Sequence, residues 1–237
     1  MKKKVGIVGY GGMGQWHACS ITGTTYLEAI PFEESDVAEV VGVYDIDPEK
    51  RCKAQKDGYT AYDSLDALLA VPDIDIIVVA TPNDAHEPIA IRAMEAGKHV
   101  IVEKPVTMSC EALDAMIAAA EKNGRMFSVH QNRRFDDYYV AMKKLADEGA
   151  IGDIISIESR IHGDHGVPGD WRKTVEQGGG MLYDWGVHML DQQLWMLGYD
   201  VDRVYAHFDY LTGIPVDDGC YVDVFLKSGK VLHTEIC

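Results

Sequence analysis

Apolar residues along this chain fall into two rhythms. In the first half, "KVGIVGY" (residues 4–10), "AEVVGVYD" (38–45), "IDIIVVATP" (74–82) and "GKHVIVEKP" (97–105) are rich in valine and isoleucine and nearly continuous in apolar character. Strands buried on both faces read this way. Between them lie "DPEKRCKAQKDG", "DSLDALLA" and "DAHEPIAIRAMEAG"; the first and third open on Asp and close on Gly, the start and stop signals of helices. A further helix, "SCEALDAMIAAAEKNG", has Ser109 as its N-cap and Gly124 as its stop. Alternating strands and helices predict an α/β fold with a parallel, doubly wound sheet.

After "RMFSVHQNRRF" (125–135) the rhythm changes. A helix is expected around residues 136–147, with the tyrosine-rich "RRFDDYYV" as a docking face, and "GDIISIESRIHG" (152–163) then alternates like a strand with one wet face. "GGGMLYDWGVHMLD" (178–191) opens another helix. The runs "VDRVYAHFDY", "GCYVDVFLKSG" and "KVLHTEIC" predict an antiparallel or mixed sheet, with "KSGK" as a hairpin turn. The boundary between the two parts falls near residues 124–135, giving domains over 1–128 and 129–237. An unpaired edge of the second sheet, where "VLHTEIC" presents one apolar face, predicts self-association, most simply as a two-fold dimer.

Charge narrows the function classes. A formal net charge of −16, without a basic patch, argues against a nucleic-acid partner. No apolar run has the length of a membrane span. The opening "MKKKVGIVGYGGMG" has too short an apolar run for a secretory signal. Five cysteines without a CxxC pair fit a reducing compartment, and a cytoplasmic protein is expected.

Gly9, Gly11 and Gly14 stand in GxGxxG spacing after a predicted strand and at the start of a helix, with Gly12 and Met13 in the same turn. In that context Gly9 permits the tight turn, Gly11 lets backbone approach a pyrophosphate, and Gly14 allows close helix–strand packing. Asp45 ends the second strand, where a carboxylate accepts hydrogen bonds from an adenosine ribose and repels a 2′-phosphate. NAD is therefore favoured over NADP. Asp45 follows the cradle at a longer distance than usual, across the extra "TGTTYLEAIPFEESD" (22–36), and Asp47 could play the same part or cap the next helix. Asp184 and His188 are four residues apart, which on a helix puts them on one face; a surface pair, half a metal site and a proton-transfer couple all fit. "HGDH", with His162, Asp164 and His165, reads as hydroxyl-binding polar groups rather than a metal site.

Taken in order, "GIVGYGGMG", "ATPNDAH", "AGKHVIVEKP", "NRRF", "EGAIGDI", "DWR" and "GGGMLYDWGVHMLD" resemble the Gfo/Idh/MocA family, which includes glucose–fructose oxidoreductase and inositol dehydrogenase. The resemblance implies an N-terminal Rossmann domain and a C-terminal α+β domain whose open, mostly antiparallel sheet often forms a dimer interface. It also implies oxidation of a secondary alcohol of a sugar or cyclitol. By the same resemblance Lys104, Asp184 and His188 are catalytic; Thr81, Pro82, Asn83 and His86 lie at the cofactor loop, with His86 also read as a structural hydrogen-bonding residue, and Glu103 lies near the nicotinamide. Arg160, His162, Asp164, His165, Trp171 and Arg172 fall at substrate-contacting positions. Relatives that use bound NAD for transient oxidation in glycoside cleavage give an alternative, and a non-catalytic nucleotide sensor is another. Imidazole suits proton abstraction from an alcohol, so His188 is the expected base, Asp184 its orienting partner, and Lys104 the stabiliser of the reacting oxygen. The glycines at 178–180 are expected to let backbone approach the substrate.

Overall fold

Continuous valine and isoleucine runs can be buried only if helices cover both faces of the sheet they build, and residues 1–130 do this. The structure is a computed structural model and describes residues 1–237 except His165 and Asp170. Strands β1 (Lys3–Val8), β2 (Ala38–Tyr44), β3 (Ile76–Val79), β4 (His99–Val102) and β5 (Phe127–Val129) form one parallel sheet in the order β2-β1-β3-β4-β5. On one face Ile7, Val43 and Val78 pack with Ala18 of α1 (Gly12–Thr22) and Ala54 of α2 (Pro48–Lys56). On the other, Val8, Ile77, Val79, Val100 and Val102 meet α3 (Leu65–Leu69), α4 (His86–Glu95) and α5 (Cys110–Asn123) through Leu68, Ala90, Met94 and Met116.

The helices start where short polar side chains can satisfy free N–H groups. Asp47, Ser64 and Ser109 accept from the backbone N–H of Glu49, Ala67 and Ala112. Gly124 ends α5 in the left-handed region at φ 59°, as its position in the sequence predicts. Strand β5 is the element the sequence did not announce: three residues at a sheet edge, with Phe127 and Val129 partly covered and Ser128 exposed, carry too little periodicity to read. Because the order runs outward from β1 in both directions, the carboxyl ends of β1 and β3 flank a topological switch point, where open α/β sheets bind their ligands.

The second unit, residues 131–237, is built on one covered sheet face. Strands β6 (Ser156–Ile161), β7 (Val201–Asp209), β8 (Gly219–Leu226) and β9 (Val231–Ile236) lie in the order β6-β9-β8-β7. The β6–β9 pair is parallel and the other two pairs are antiparallel, so the sheet is mixed. Helix α7 (Val187–Leu197) covers Cys220, Val222, Val224, Leu232 and Ile236 with Met189, Leu190 and Leu194. Helix α6 (Asp137–Asp147) is tied to α7 by the buried Tyr139 hydroxyl, which donates to the Gln192 carbonyl at 2.8 Å. Just before α6, Arg134 Nε donates to Asp191 at 2.7 Å and the Arg133 guanidinium lies over the Trp185 ring at 4.3 Å. Among the described residues no helix is long and apolar enough to cross a membrane.

One buried polar pair pins α7 to the sheet. The Thr234 hydroxyl donates to Gln193 Oε1 at 2.9 Å, and Gln193 Nε2 donates to the His233 carbonyl at 2.8 Å. Thr234→Val keeps the shape and the strand preference but leaves Gln193 Oε1 buried without its donor. The expected cost is about 1–3 kcal/mol, read as a lower denaturation midpoint at unchanged m-value in urea unfolding.

Candidate active site

At the end of β1 the chain turns sharply and enters α1. Gly9 sits at φ +92°, and a Cβ there would stand 2.4 Å from the Ala80 carbonyl oxygen. A Cβ on Gly14 would stand 1.9 Å from the Gly9 carbonyl oxygen. Both glycines are therefore demanded by the packing of the chain on itself. Gly11 is not: its φ of −77° suits any residue, and a Cβ there would meet nothing within 4 Å. It faces open space at the N-terminus of α1, which has no side-chain cap and no acidic residue in its first turn. Free N–H groups and the positive end of the helix dipole make that space an anion cradle.

Asp45 is buried at the end of β2, as a ribose acceptor should be placed, but its carboxylate also holds the cradle together. Oδ2 accepts the Tyr10 N–H at 2.6 Å and Oδ1 the Asp47 N–H at 2.9 Å, leaving lone pairs on each oxygen for a further donor. Asp47 caps α2. After β3, the Thr81 hydroxyl is buried and has no hydrogen-bond partner among the described residues, so an oxygen that wants a partner lies at the switch point. Pro82 leads into a short 3-10 turn carrying the buried Asn83.

Two of the residues expected at the cofactor loop brace the chain around it. His86 is fully buried, and its Nδ1 and Nε2 each lie 2.9 Å from a carbonyl oxygen, of Pro105 and Thr81 respectively. A carbonyl oxygen only accepts, so a neutral ring donates to one of the two and a protonated ring to both; in either form the imidazole is enclosed between the loop after β3 and the loop after β4. Burial pulls its pKa below the ordinary histidine value, and the two carbonyls offset part of that. Glu103 is likewise buried, with one oxygen, Oε1, taken by His17 Nε2 at 2.7 Å and by His130 Nδ1 at 2.9 Å. Burial would push this carboxyl up, but the bonds from His130 and His17 outweigh it and hold Glu103 well below the usual carboxylate range. The three ligand-capable atoms lie within 4.8 Å of one another. The two contacts nevertheless have hydrogen-bond lengths, whereas nitrogen and oxygen ligands of one tetrahedral zinc stand roughly 3.3 Å apart. His17 and His130 escape sequence reading, although His17 falls on α1 three residues past Gly14. Lys104 follows Glu103 at the end of β4, half-buried, on the same carboxyl edge of the sheet as Gly9 and Thr81.

In the second unit the Asp184–His188 segment is not a simple α-helix. Leu182–Gly186 form a π-turn that runs into α7, so the pair spans the junction. Such turns cluster at functional sites. Asp184 Oδ1 accepts the Nε–H of Arg172 at 3.0 Å, and Arg172 lies over the ring of Trp171 at 4.3 Å. His188 is buried. The glycines before the turn serve internal packing rather than open approach to a substrate. A Cβ on Gly179 would meet the Arg172 carbonyl oxygen at 2.2 Å, and one on Gly180 the Asp217 carboxylate at 2.0 Å. Asp217, which the sequence did not flag, accepts the Leu182 N–H at 2.8 Å, and burial raises its pKa.

Of the remaining expected substrate positions, Arg172 is brought to Asp184 with the Trp171 ring against its guanidinium, whereas Arg160 and His162 meet Glu235. Arg160 alternates away from Ile161, which packs toward α7, so it lies on the opposite sheet face. There its Nε meets Glu235 at 3.1 Å, and His162 Nε2 meets the same carboxylate at 3.1 Å. Asp164 is exposed, and His165 lies outside the described residues.

Comparison with known proteins matches both units. The family model described as "Oxidoreductase family, NAD-binding Rossmann fold" covers residues 3–131, and the GFO/IDH/MocA C-terminal domain covers 139–237. The chain is 36% identical over 202 residues to the uncharacterized oxidoreductase YdgJ of Escherichia coli, matching 84% of this chain and 54% of that protein. It is 30% identical over 213 residues to an inositol 2-dehydrogenase of Salmonella typhimurium, matching 88% of this chain and 58% of the relative. The chain thus spans about half the length of the curated relatives it matches. A crystal structure described as an NAD-binding protein from Listeria innocua superposes with a TM-score of 0.91 at 42% identity, over 100% of this chain and 67% of the other. The five-stranded parallel sheet and the separate mixed sheet are the fold of these relatives.

The three glycines separate the needs of the fold from those of a ligand. Gly11→Ala is expected to leave the melting temperature unchanged while weakening NAD binding by tenfold or more. Gly14→Ala should instead destabilise the chain by roughly 3 kcal/mol, because its methyl group meets a backbone oxygen. Calorimetric melting paired with NAD titration reads both.

Proposed function

We propose that this chain, which belongs to the Gfo/Idh/MocA oxidoreductase family, supplies the NAD-binding and catalytic residues of a dehydrogenase acting on a secondary alcohol of a sugar or cyclitol. The observation that carries this reading is the cradle itself. Gly11 is bare for no reason of packing, and a buried Thr81 hydroxyl waits for a partner at the same switch point. Bound there, NAD would accept the hydride. Its diphosphate would rest on the first turn of α1 and its adenosine ribose on the remaining lone pairs of Asp45. A 2′-phosphate would meet that buried carboxylate, which favours NAD over NADP.

The chain's own groups then divide the work on the alcohol. His188 takes the hydroxyl proton, since imidazole titrates near working pH. Asp184, fixed by Arg172, orients the imidazole or the adjacent hydroxyl. Lys104 donates a hydrogen bond to the reacting oxygen and stabilises the negative charge that develops there. Trp171 and Arg172 serve the substrate hydroxyls. The substrate class rests on the name of the Salmonella relative together with these polar groups.

Steady-state kinetics with inositols and free sugars test the assignment. His188→Ala and Lys104→Ala are each expected to lower kcat by about a hundredfold or more while NAD affinity stays within twofold. NADP should serve less well than NAD. Normal turnover in the His188 variant would make the Asp184–His188 pair structural.

The reading extends to assembly as a two-fold dimer through the second sheet, but not through "VLHTEIC": β9 is an interior strand whose Leu232 and Ile236 are already covered by α7. Strand β7 is exposed along nearly its whole length and carries Val204, Tyr205 and Phe208, beside the exposed Tyr221 of β8. An edge strand with an apolar surface invites pairing. Light scattering across a concentration series should give twice the chain mass, and a monomer at the highest concentration would overturn this assembly.

A further inference from the structure

The stretch between α1 and β2 is long for a helix-to-strand connection, which commonly takes two to six residues, and it is ordered by its own contacts. Gly23 closes α1 by donating to the Cys19 carbonyl at 2.9 Å, and Thr22 and Glu34 then pair as an antiparallel bridge. Within the arm so formed, Tyr26 N–H donates to the Ile30 carbonyl at 2.8 Å and Ile30 N–H returns to Tyr26 at 3.0 Å. The tip between them holds Leu27 at φ +49° and Glu28 at φ +58°. Two consecutive left-handed residues are what a tight hairpin turn requires, but neither is the glycine or asparagine that adopts that region easily. The arm is fastened to α1: Phe32 packs edge-on against Trp16 with ring centroids 5.3 Å apart, and Ser35 N–H donates to the Ile21 carbonyl at 3.0 Å.

The strained tip directs one polar group. The Tyr26 hydroxyl lies 3.4 Å from where a Cβ on Gly12 would stand, and Gly12 is the first residue of α1. The phenol therefore sits at the anion-binding end of the helix, beside the open space at Gly11. No described residue hydrogen-bonds to it, and the segment 23–36 contains no lysine or arginine. Packing alone would be served as well by phenylalanine.

We propose that Tyr26 is a cofactor-binding residue whose hydroxyl donates a hydrogen bond to the diphosphate of the dinucleotide, supplied by the arm between α1 and β2. This rests on the NAD reading above. Donation to a charged oxygen adds to the helix N–H groups without bringing a second formal charge to the cradle.

Titration of the full chain with NAD, ADP-ribose and adenosine, followed by calorimetry, tests this with wild-type protein and Tyr26→Phe. The variant is expected to bind NAD and ADP-ribose about tenfold or more weakly, with adenosine affinity and melting temperature unchanged. Equal affinity of both proteins for NAD would overturn the role of Tyr26 and leave the cofactor reading standing. An equal loss for adenosine would assign the effect to packing and overturn it as well. Wild-type protein that binds neither NAD nor ADP-ribose would sink the cofactor reading itself, and this inference with it.

Discussion

Helix α1 approaches strand β1 so closely that a single methyl group on Gly14 would collide with the Gly9 carbonyl oxygen. That approach fixes where the N-terminus of α1 points, and everything offered to a dinucleotide hangs from it. Asp45 fastens the same turn by accepting the Tyr10 N–H, so the cradle is held from two strands at once. His17, farther along α1, reaches Glu103 at the end of β4. The position of one helix thus sets the geometry of the phosphate cradle and restrains the loop that carries Lys104.

What could be read in the sequence was what depends on near neighbours. Four glycines within six residues, three of them in GxGxxG spacing, Ser109 before an apolar helix and Gly124 after it, and strands without polar interruptions each declare their geometry locally. The braces do not. His17 and Glu103 are 86 residues apart, His130 and Glu103 are 27 apart, and nothing in either neighbourhood marks a histidine as one that will share a carboxylate oxygen. Arg160 shows the complementary case. The resemblance names it without its partner, and the alternation of β6 puts it on the face with Glu235.

The histidines divide by what surrounds them rather than by their sequence context. His86 lies in the most recognisable stretch of the loop after β3, yet both of its nitrogens face carbonyls of two neighbouring loops. A side chain so enclosed acts on a ligand only by setting the backbone around it. The two imidazoles on Glu103 similarly keep a charge ionised in a buried place, where it would otherwise be neutralised by a proton. Polar groups buried in this way give a loop one conformation in place of several.

The π-turn at Leu182–Gly186 makes the second unit sensitive to counting. A π-turn is an α-helix with one residue too many, held because its surroundings gain more than the helix loses. Taking one residue out would let the turn close as regular α-helix with the flanking chain kept in place. The Arg172 carbonyl and Asp217 carboxylate would still clasp Gly179 and Gly180, but the side chains within the turn, Asp184 among them, would be re-aimed. An acid and an imidazole can therefore both persist in a descendant of this chain while a one-residue deletion nearby dissolves their arrangement.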